Sequence, residues 1–250
     1  MKIQNQFRKI ILLFVLCIFS VLSAGKVLAQ PEVVQHLQQA DSLFAEKQYT
    51  ESIKLYEQLY LEAEMASPAM LLKMAFIQEG LGEFSEALYY LSQYYLLTSD
   101  ETVVQKIKDL SEEHNLRGYD FTDLDYIQVY LKKYQYLFIY ILLAIALSGL
   151  AYFFLKGRKQ PDKPYGFGVA YLVLLALLFY LTNFSLSPAH AVIVDSNTYI
   201  MTAPSAGAEV VKISEKGHKV KVAGQQDVWM QIEWNGEIAF IRQDNLRLLR

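Results

Sequence analysis

Tyr136-Leu-Phe-Ile-Tyr-Ile-Leu-Leu-Ala-Ile-Ala-Leu-Ser-Gly-Leu-Ala-Tyr-Phe-Phe-Leu155 is followed, one short loop later, by Phe167-Gly-Val-Ala-Tyr-Leu-Val-Leu-Leu-Ala-Leu-Leu-Phe-Tyr-Leu-Thr-Asn-Phe-Ser-Leu186. About 20 residues of helix, rising 1.5 Å each, just cross a hydrocarbon core. Neither stretch contains a charge, while Lys156–Pro164 between them holds four Lys/Arg against one Asp. A compact basic loop flanked by two spanning helices is expected on the cytoplasmic side of a membrane. The pair therefore predicts an integral membrane protein, with transmembrane helices at 136–155 and 167–186 and a cytoplasmic loop at 156–166. The hairpin separates a domain before it, 30–131, from one after it, 189–250.

Working outward, the amino terminus reads as a secretory signal. Lys2, Arg8 and Lys9 precede an apolar run, Ile10–Leu22, and Val27-Leu28-Ala29 ends in a small residue suited to cleavage before Gln30. The single cysteine, Cys17, lies in that run behind Leu16, where a lipoprotein signal would carry a smaller residue. With 1–29 removed, the chain is predicted to lack cysteine, which excludes disulfides, thiolate metal sites and cysteine nucleophiles. Export of Gln30 onward sends the first helix inward and the second outward. The basic loop independently asks for the same topology, so both domains are predicted on the same extracytoplasmic face.

The two domains differ in charge. Residues 30–131 hold 6 Lys/Arg against 18 Asp/Glu, and 189–250 hold 7 of each. An acidic domain repels phosphate backbones and argues against nucleic acid. It leaves open a basic partner or plain solvation.

Residues 31–131 carry helical periodicity, with proline only at 31 and 68. An offset of 35 aligns Ala40 with Ala75, Tyr49 with Phe84, Glu51 with Glu86, Ser52 with Ala87, Ile53 with Leu88 and Tyr56 with Leu91. Each motif, Gln48-Tyr-Thr-Glu-Ser-Ile53 and Glu83-Phe-Ser-Glu-Ala-Leu88, places an aromatic at a turn and a small residue in the helix that follows. These positions resemble the tetratricopeptide repeat family, with Gly82 at the turn glycine of the second repeat and Lys47 at that of the first. His36 and Leu71 stand where the family carries its signature Trp. The resemblance implies all-α helical repeats whose first helices line a partner-binding groove. It would present Leu37, Asp41, Phe44, Leu72, Phe76 and Glu79 there.

Continuing the offset predicts a third turn at Gly118-Tyr119, after a helix capped at Asp100 that contains Val103, Ile107 and Leu110. The next helix is predicted to open near Thr122, where Thr122 and Asp125 form a capping-box-like pair. No break precedes residue 155, so this helix is expected to run directly into the first membrane span. Tyr126, Tyr130, Tyr134 and Tyr136, with Lys132 and Lys133, suit an interface with headgroups.

Beyond Pro188 the pattern alternates. Strands are predicted at 191–195, 199–202, 218–222, 228–232 and 237–241, separated by Ala203-Pro204-Ser205, Lys216-Gly217 and Asn235-Gly236. Asn-Gly between two apolar-alternating runs is a strong hairpin signal. About 60 residues with five or six strands suggest a small all-β barrel. Tyr199-Ile-Met-Thr-Ala-Pro-Ser205, Glu215-Lys-Gly217, Val220-Lys-Val222, Trp229, Gln231-Ile232 and Asn235–Ile241 resemble bacterial SH3 domains, which implies binding of cell-wall peptide or envelope proteins. Tyr199, Trp229 and Phe240 are the candidate ligand aromatics. The small size of the barrel predicts at least two of the three in its core.

The residues give no sign of catalysis or of a cofactor. His36, His114, His190 and His218 are scattered without metal-ligand spacing, and there is no nucleophile elbow or phosphate-cradling glycine loop. Asp120, Asp123 and Asp125 lack the glycine and terminal Glu of a calcium loop and read as helix capping. No ionisable group other than tyrosine lies in either apolar stretch. Taken together, signal peptide, helical repeats, membrane hairpin and terminal SH3-like domain resemble BatE-type proteins of bacterial aerotolerance operons. That resemblance implies work beside other Bat membrane proteins and a MoxR-type ATPase in a Gram-negative inner membrane, with both domains in the periplasm. Two functions stay open: a non-enzymatic scaffold that docks proteins through both modules, and a wall-binding or wall-sensing protein whose terminal domain grips peptidoglycan.

Overall fold

A computed structural model describes residues 31–62, 66–156, 165–183 and 189–249. The predicted signal peptide with Cys17, most of the basic loop and the last residues of the second apolar stretch lie outside the described residues. The chain divides into two compact units, Met1–Met65 and Ala66–Arg250.

In the first unit, α1 (Pro31–Ala45) and α2 (Tyr49–Glu62) pack as a helical pair. Small residues let them approach: Ala40 is fully buried, and Ser52 donates its hydroxyl to the Ala40 carbonyl at 2.9 Å. Tyr56, also fully buried, donates to the Asp41 carboxylate. Phe44 and Tyr49 meet edge to face across the turn, 5.6 Å between ring centres.

The second unit opens with another pair, α3 (Pro68–Gly80) and α4 (Phe84–Thr98). Ser67 caps α3 by accepting from the Met70 amide at 3.2 Å, and Pro68 occupies a first-turn position that needs no amide donor. The 35-residue offset recurs as geometry. Lys47 and Gly82 both take positive φ, at 62° and 79°. The amides of Gln48 and Glu83 close the two turns on Leu43 and Gln78, at 2.8 and 2.9 Å.

The offset then fails. After α5 (Thr102–Glu113), whose first amide bonds to the Asp100 carboxylate at 3.0 Å, the turn falls at Asn115, φ 55°, rather than at Gly118-Tyr119. Residues 114–122 run without helix. The next helix, α6 (Asp123–Lys156), opens as expected: the Thr122 amide bonds to Asp125 Oδ2 at 2.7 Å, and Thr122 Oγ1 accepts from the Asp125 amide at 3.4 Å. It is uninterrupted for 34 residues, about 50 Å.

Helix α7 (Tyr165–Asn183) packs back on α6, where Ala146 and Gly149 permit close approach of Tyr171. Tyr171 donates to the Ala146 carbonyl at 3.3 Å, and Gln135 to that of Leu181 at 2.7 Å. Among the described residues one helix, over Asp123–Gly149, is long and apolar enough to cross a membrane, and little of it is buried. The apolar part of α7, Gly168–Asn183, is shorter. The first predicted span, 136–155, falls on α6, and the second, 167–186, in part on the shorter α7.

Seven strands follow: β1 (Ala189–Ile193), β2 (Thr198–Met201), β3 (Val210–Ser214), β4 (Lys219–Gln226), β5 (Trp229–Trp234), β6 (Glu237–Arg242) and β7 (Leu246–Leu249). They form one antiparallel sheet in the order β3-β2-β6-β5-β4-β1-β7. Ile200 of β2 and Leu248 of β7 belong to the same apolar cluster, so the sheet curls around its core. Asn235 and Gly236, φ 51° and 84°, make the tight β5–β6 hairpin, both residue types tolerating positive φ. Strands β3 and β7 add to the five predicted: the alternation of Val211-Lys-Ile-Ser214 and of Leu246-Arg-Leu248 spans too few residues to stand out.

Candidate functional site

The sheet and the helices of the second unit meet along a seam that begins in the linker. Arg117 and Gly118 lie against the start of β4. The Lys219 amide donates to the Arg117 carbonyl at 2.9 Å, and the Arg117 amide donates to His218 Nδ1 at 3.0 Å. Gly118, at φ +88°, has no room for a side chain: a Cβ there would stand 2.0 Å from the Lys219 carbonyl oxygen. Tyr119, buried, donates to the Gly217 carbonyl at 2.8 Å. Burial, reinforced by Glu86, pushes that phenol far above its ordinary range and keeps it a donor.

A second line of contact joins α4 to β7. Arg247 pairs with Glu86, lies 4.2 Å from the Tyr89 ring centre and donates to the Tyr90 hydroxyl at 3.3 Å. Gln93 and Tyr89 both reach the Leu248 carbonyl at 3.4 Å. Lys216 pairs with Glu83 at 2.6 Å, but both side chains are over 40% exposed, so the pair is worth under about 1 kcal/mol. Part of the acidity of the helical region therefore faces cations of the chain's own sheet.

Between α4, α6 and the sheet lies a cavity of about 180 Å³, lined among others by Ser92, Tyr95, Phe121, Asp125, Val129, Lys132, His190 and Lys219. Residues 125, 128, 129 and 132 of α6 share one face, at helical spacing. The Lys219 ammonium stands 4.8 Å from the Phe121 ring centre and 5.8 Å from that of Tyr119. Burial pushes its pKa down to about 8, opposed by Asp125. Burial also resists ionisation of Asp125. The Thr122 hydrogen bonds, with the charges of Lys219 and His190, nonetheless hold its carboxyl below the usual range. Ser92 is 4% exposed and its hydroxyl oxygen has no hydrogen-bond partner. Among the described residues no group of three His, Cys, Asp or Glu could hold a metal ion.

The residues singled out from sequence lie elsewhere. In the first unit, Leu37, Asp41 and Phe44 are half-buried on α1, and Asp41 is engaged by Tyr56. On α3, Leu72 and Phe76 are exposed, Phe76 by 56%, while Glu79 pairs with Lys106. Of the three candidate sheet aromatics none is in the core, contrary to expectation. Tyr199 is 54% exposed, and Trp229 and Phe240 are half-buried on the outward side. The core is filled instead by Trp234 with Ile193, Ile200, Ile232 and Ile241, and strand alternation turns Trp229 and Phe240 away from it. Reasoning from sequence missed Lys219, Arg247 and Ser92. It noticed Gly118-Tyr119 and assigned the pair to a repeat turn. Comparison with known proteins matches this chain to no protein family, no curated protein and no solved structure.

Proposed function

We propose that this chain is a non-enzymatic adaptor of a bacterial inner membrane, anchored by the α6–α7 hairpin and presenting its helix pairs and sheet on the periplasmic side. On this reading the helix pairs are tetratricopeptide-type repeats, the sheet is an SH3-like barrel, and the partners are proteins of the same membrane, in the manner of a Bat-type complex. The observation that carries the proposal is α6. Its first turns are built into the second unit: Val129 is buried, Tyr126 meets Tyr95, and Lys133 donates to the Thr98 carbonyl at 2.7 Å. The same helix continues without a break into exposed Tyr136, Leu137, Phe138, Tyr140 and Ile141. A rod fixed in the module at one end and apolar at the other would hold that module at a set height and angle over a bilayer. The basic loop after it supports the orientation.

Protease added to the periplasmic side of spheroplasts is the direct test. Cleavage within 31–113 and 189–249, with 157–164 protected, is the expected pattern; a loop cut from outside would reverse the topology. Crosslinking in native membranes should then capture membrane proteins, and weaker capture by Phe76→Ala would favour docking on α3. Wall binding is the second reading, supported by the exposed Tyr199 beside Ile213, its cross-strand neighbour, which is 49% exposed. Co-sedimentation of the full chain with peptidoglycan, lost in Tyr199→Ala, would favour it.

A further inference from the structure

We infer that the cavity between α4, α6 and the sheet is a binding site for the phosphodiester of an anionic amphiphile, whose apolar part lies along α6. The inference builds on the membrane reading above.

The polar groups around this cavity are mostly donors. Lys219 approaches from β4, Lys132 from α6 and Ser92 from α4, so donors converge from three elements on one space. The one carboxylate, Asp125, already accepts at Oδ2 from the amide and the hydroxyl of Thr122. Gln128 and His190, also in the lining, have partners of their own, whereas the Ser92 hydroxyl has none. A buried hydroxyl without a partner, as at Ser92, costs free energy unless something supplies one.

Charge and shape narrow the class. Two lysines against one carboxylate leave a single positive charge, which matches a phosphodiester. A tetrahedral group with oxygens on several sides suits donors from three elements better than a planar carboxylate. The volume, about 180 Å³, exceeds what a bare anion fills. Tyr95, Phe121 and Val129 supply apolar wall. The lining face of α6 leads, one turn beyond Lys132, to exposed Tyr136 and the apolar helix. A head group seated on Lys219 would thus leave its chains beside a surface that takes them.

The test uses the full chain. Native membranes are first extracted at alkaline pH; release into the supernatant would sink the membrane reading alone. Chain retained in the membrane is placed in nanodiscs of phosphatidylcholine with phosphatidylglycerol, and retained lipid is counted by native mass spectrometry. The expected result is one phosphatidylglycerol kept about tenfold more strongly than phosphatidylcholine. That preference should fall about tenfold in Lys219→Met and in Ser92→Leu, which fills the cavity; loss of one charge-assisted hydrogen bond predicts that scale. Lys132→Met, half-buried at the edge, keeps the test alive where the deeper changes unfold the protein. Equal retention of both lipids, or a preference unmoved in every folded variant, overturns the proposal. Glycerophosphoglycerol, the head group without chains, distinguishes the source. Saturable binding of it at micromolar concentration, lost in Lys219→Met, keeps the phosphodiester site and assigns it a soluble ligand. If the chain proves soluble, absence of that binding overturns the site as well.

Discussion

Tyr119 and Gly217, 98 residues apart in the chain, are joined by a buried 2.8 Å hydrogen bond from phenol to carbonyl. The bond ties the linker after α5 to the turn before β4, on the seam where sheet and helices become one unit. Tyr119→Phe keeps the ring and strands the carbonyl, and should cost about 1–2 kcal/mol. Denaturation of the full chain in detergent, followed by tryptophan fluorescence, measures it. An unchanged midpoint would mean that the bond contributes nothing net.

Gly118→Ala should be far worse than Gly82→Ala, although both residues have positive φ. At Gly82 a Cβ meets nothing within 4 Å, leaving only the backbone cost of about 1 kcal/mol. At Gly118 the Cβ would collide with the backbone of Lys219, which cannot move without parting the seam. We expect several kcal/mol there and new proteolytic cleavage between 114 and 122. Equal midpoints for the two variants would count against the close approach.

Lys219 makes stability depend on pH in the alkaline range. Its folded pKa, about 8, lies below the ordinary 10.5, so between these values the unfolded chain binds more protons. Stability should therefore rise from pH 8 toward pH 10.5, by on the order of 1–3 kcal/mol from this group. Lys219→Met should lack the rise. A thermal scan of both proteins from pH 7 to 10 checks the sign.

His218 works at the acid end. Its Nδ1 accepts from the Arg117 amide, which only the neutral ring allows. Burial, then the charges of Lys212 and Arg117, lower its pKa below 6.5, against Glu215; Trp234 meets the ring edge on. The unfolded chain then binds more protons below pH 6.5, so this contribution is full above 6.5 and is lost as pH falls through the folded value. Exchange of the Arg117 amide, corrected for intrinsic rate, should accelerate between pH 7.5 and 5.5. In His218→Ala it should be fast at both.

Much of the architecture was legible because it depends on local patterns. The apolar run after Tyr136, with no proline or glycine before it from Thr122 onward, predicted one continuous helix, and Thr122 with Asp125 marked its start. Ala40 and Ser52 marked a close helix pair, and Asn235-Gly236 marked a hairpin. Gly118-Tyr119 misled for a physical reason. Glycine followed by an aromatic suits a repeat turn, and equally suits a linker that must lie flat on another backbone and bury a ring. Trp229 and Trp234 likewise differ only in which way one strand faces, and register decides that.

Charge shows the same division. The sequence by itself determined that residues 30–131 are acidic and 189–250 balanced, since composition needs no fold. It also determined most of the helices and turns and five of the seven strands, because each answers to neighbours a few residues away. Only the tertiary structure decided that Glu86 is met by Arg247 and Tyr119 by Gly217, and that Asp125 and Lys219 line one cavity. These contacts join residues roughly a hundred or more apart. No periodicity records such pairs; they exist because the sheet has somewhere on the helices to land.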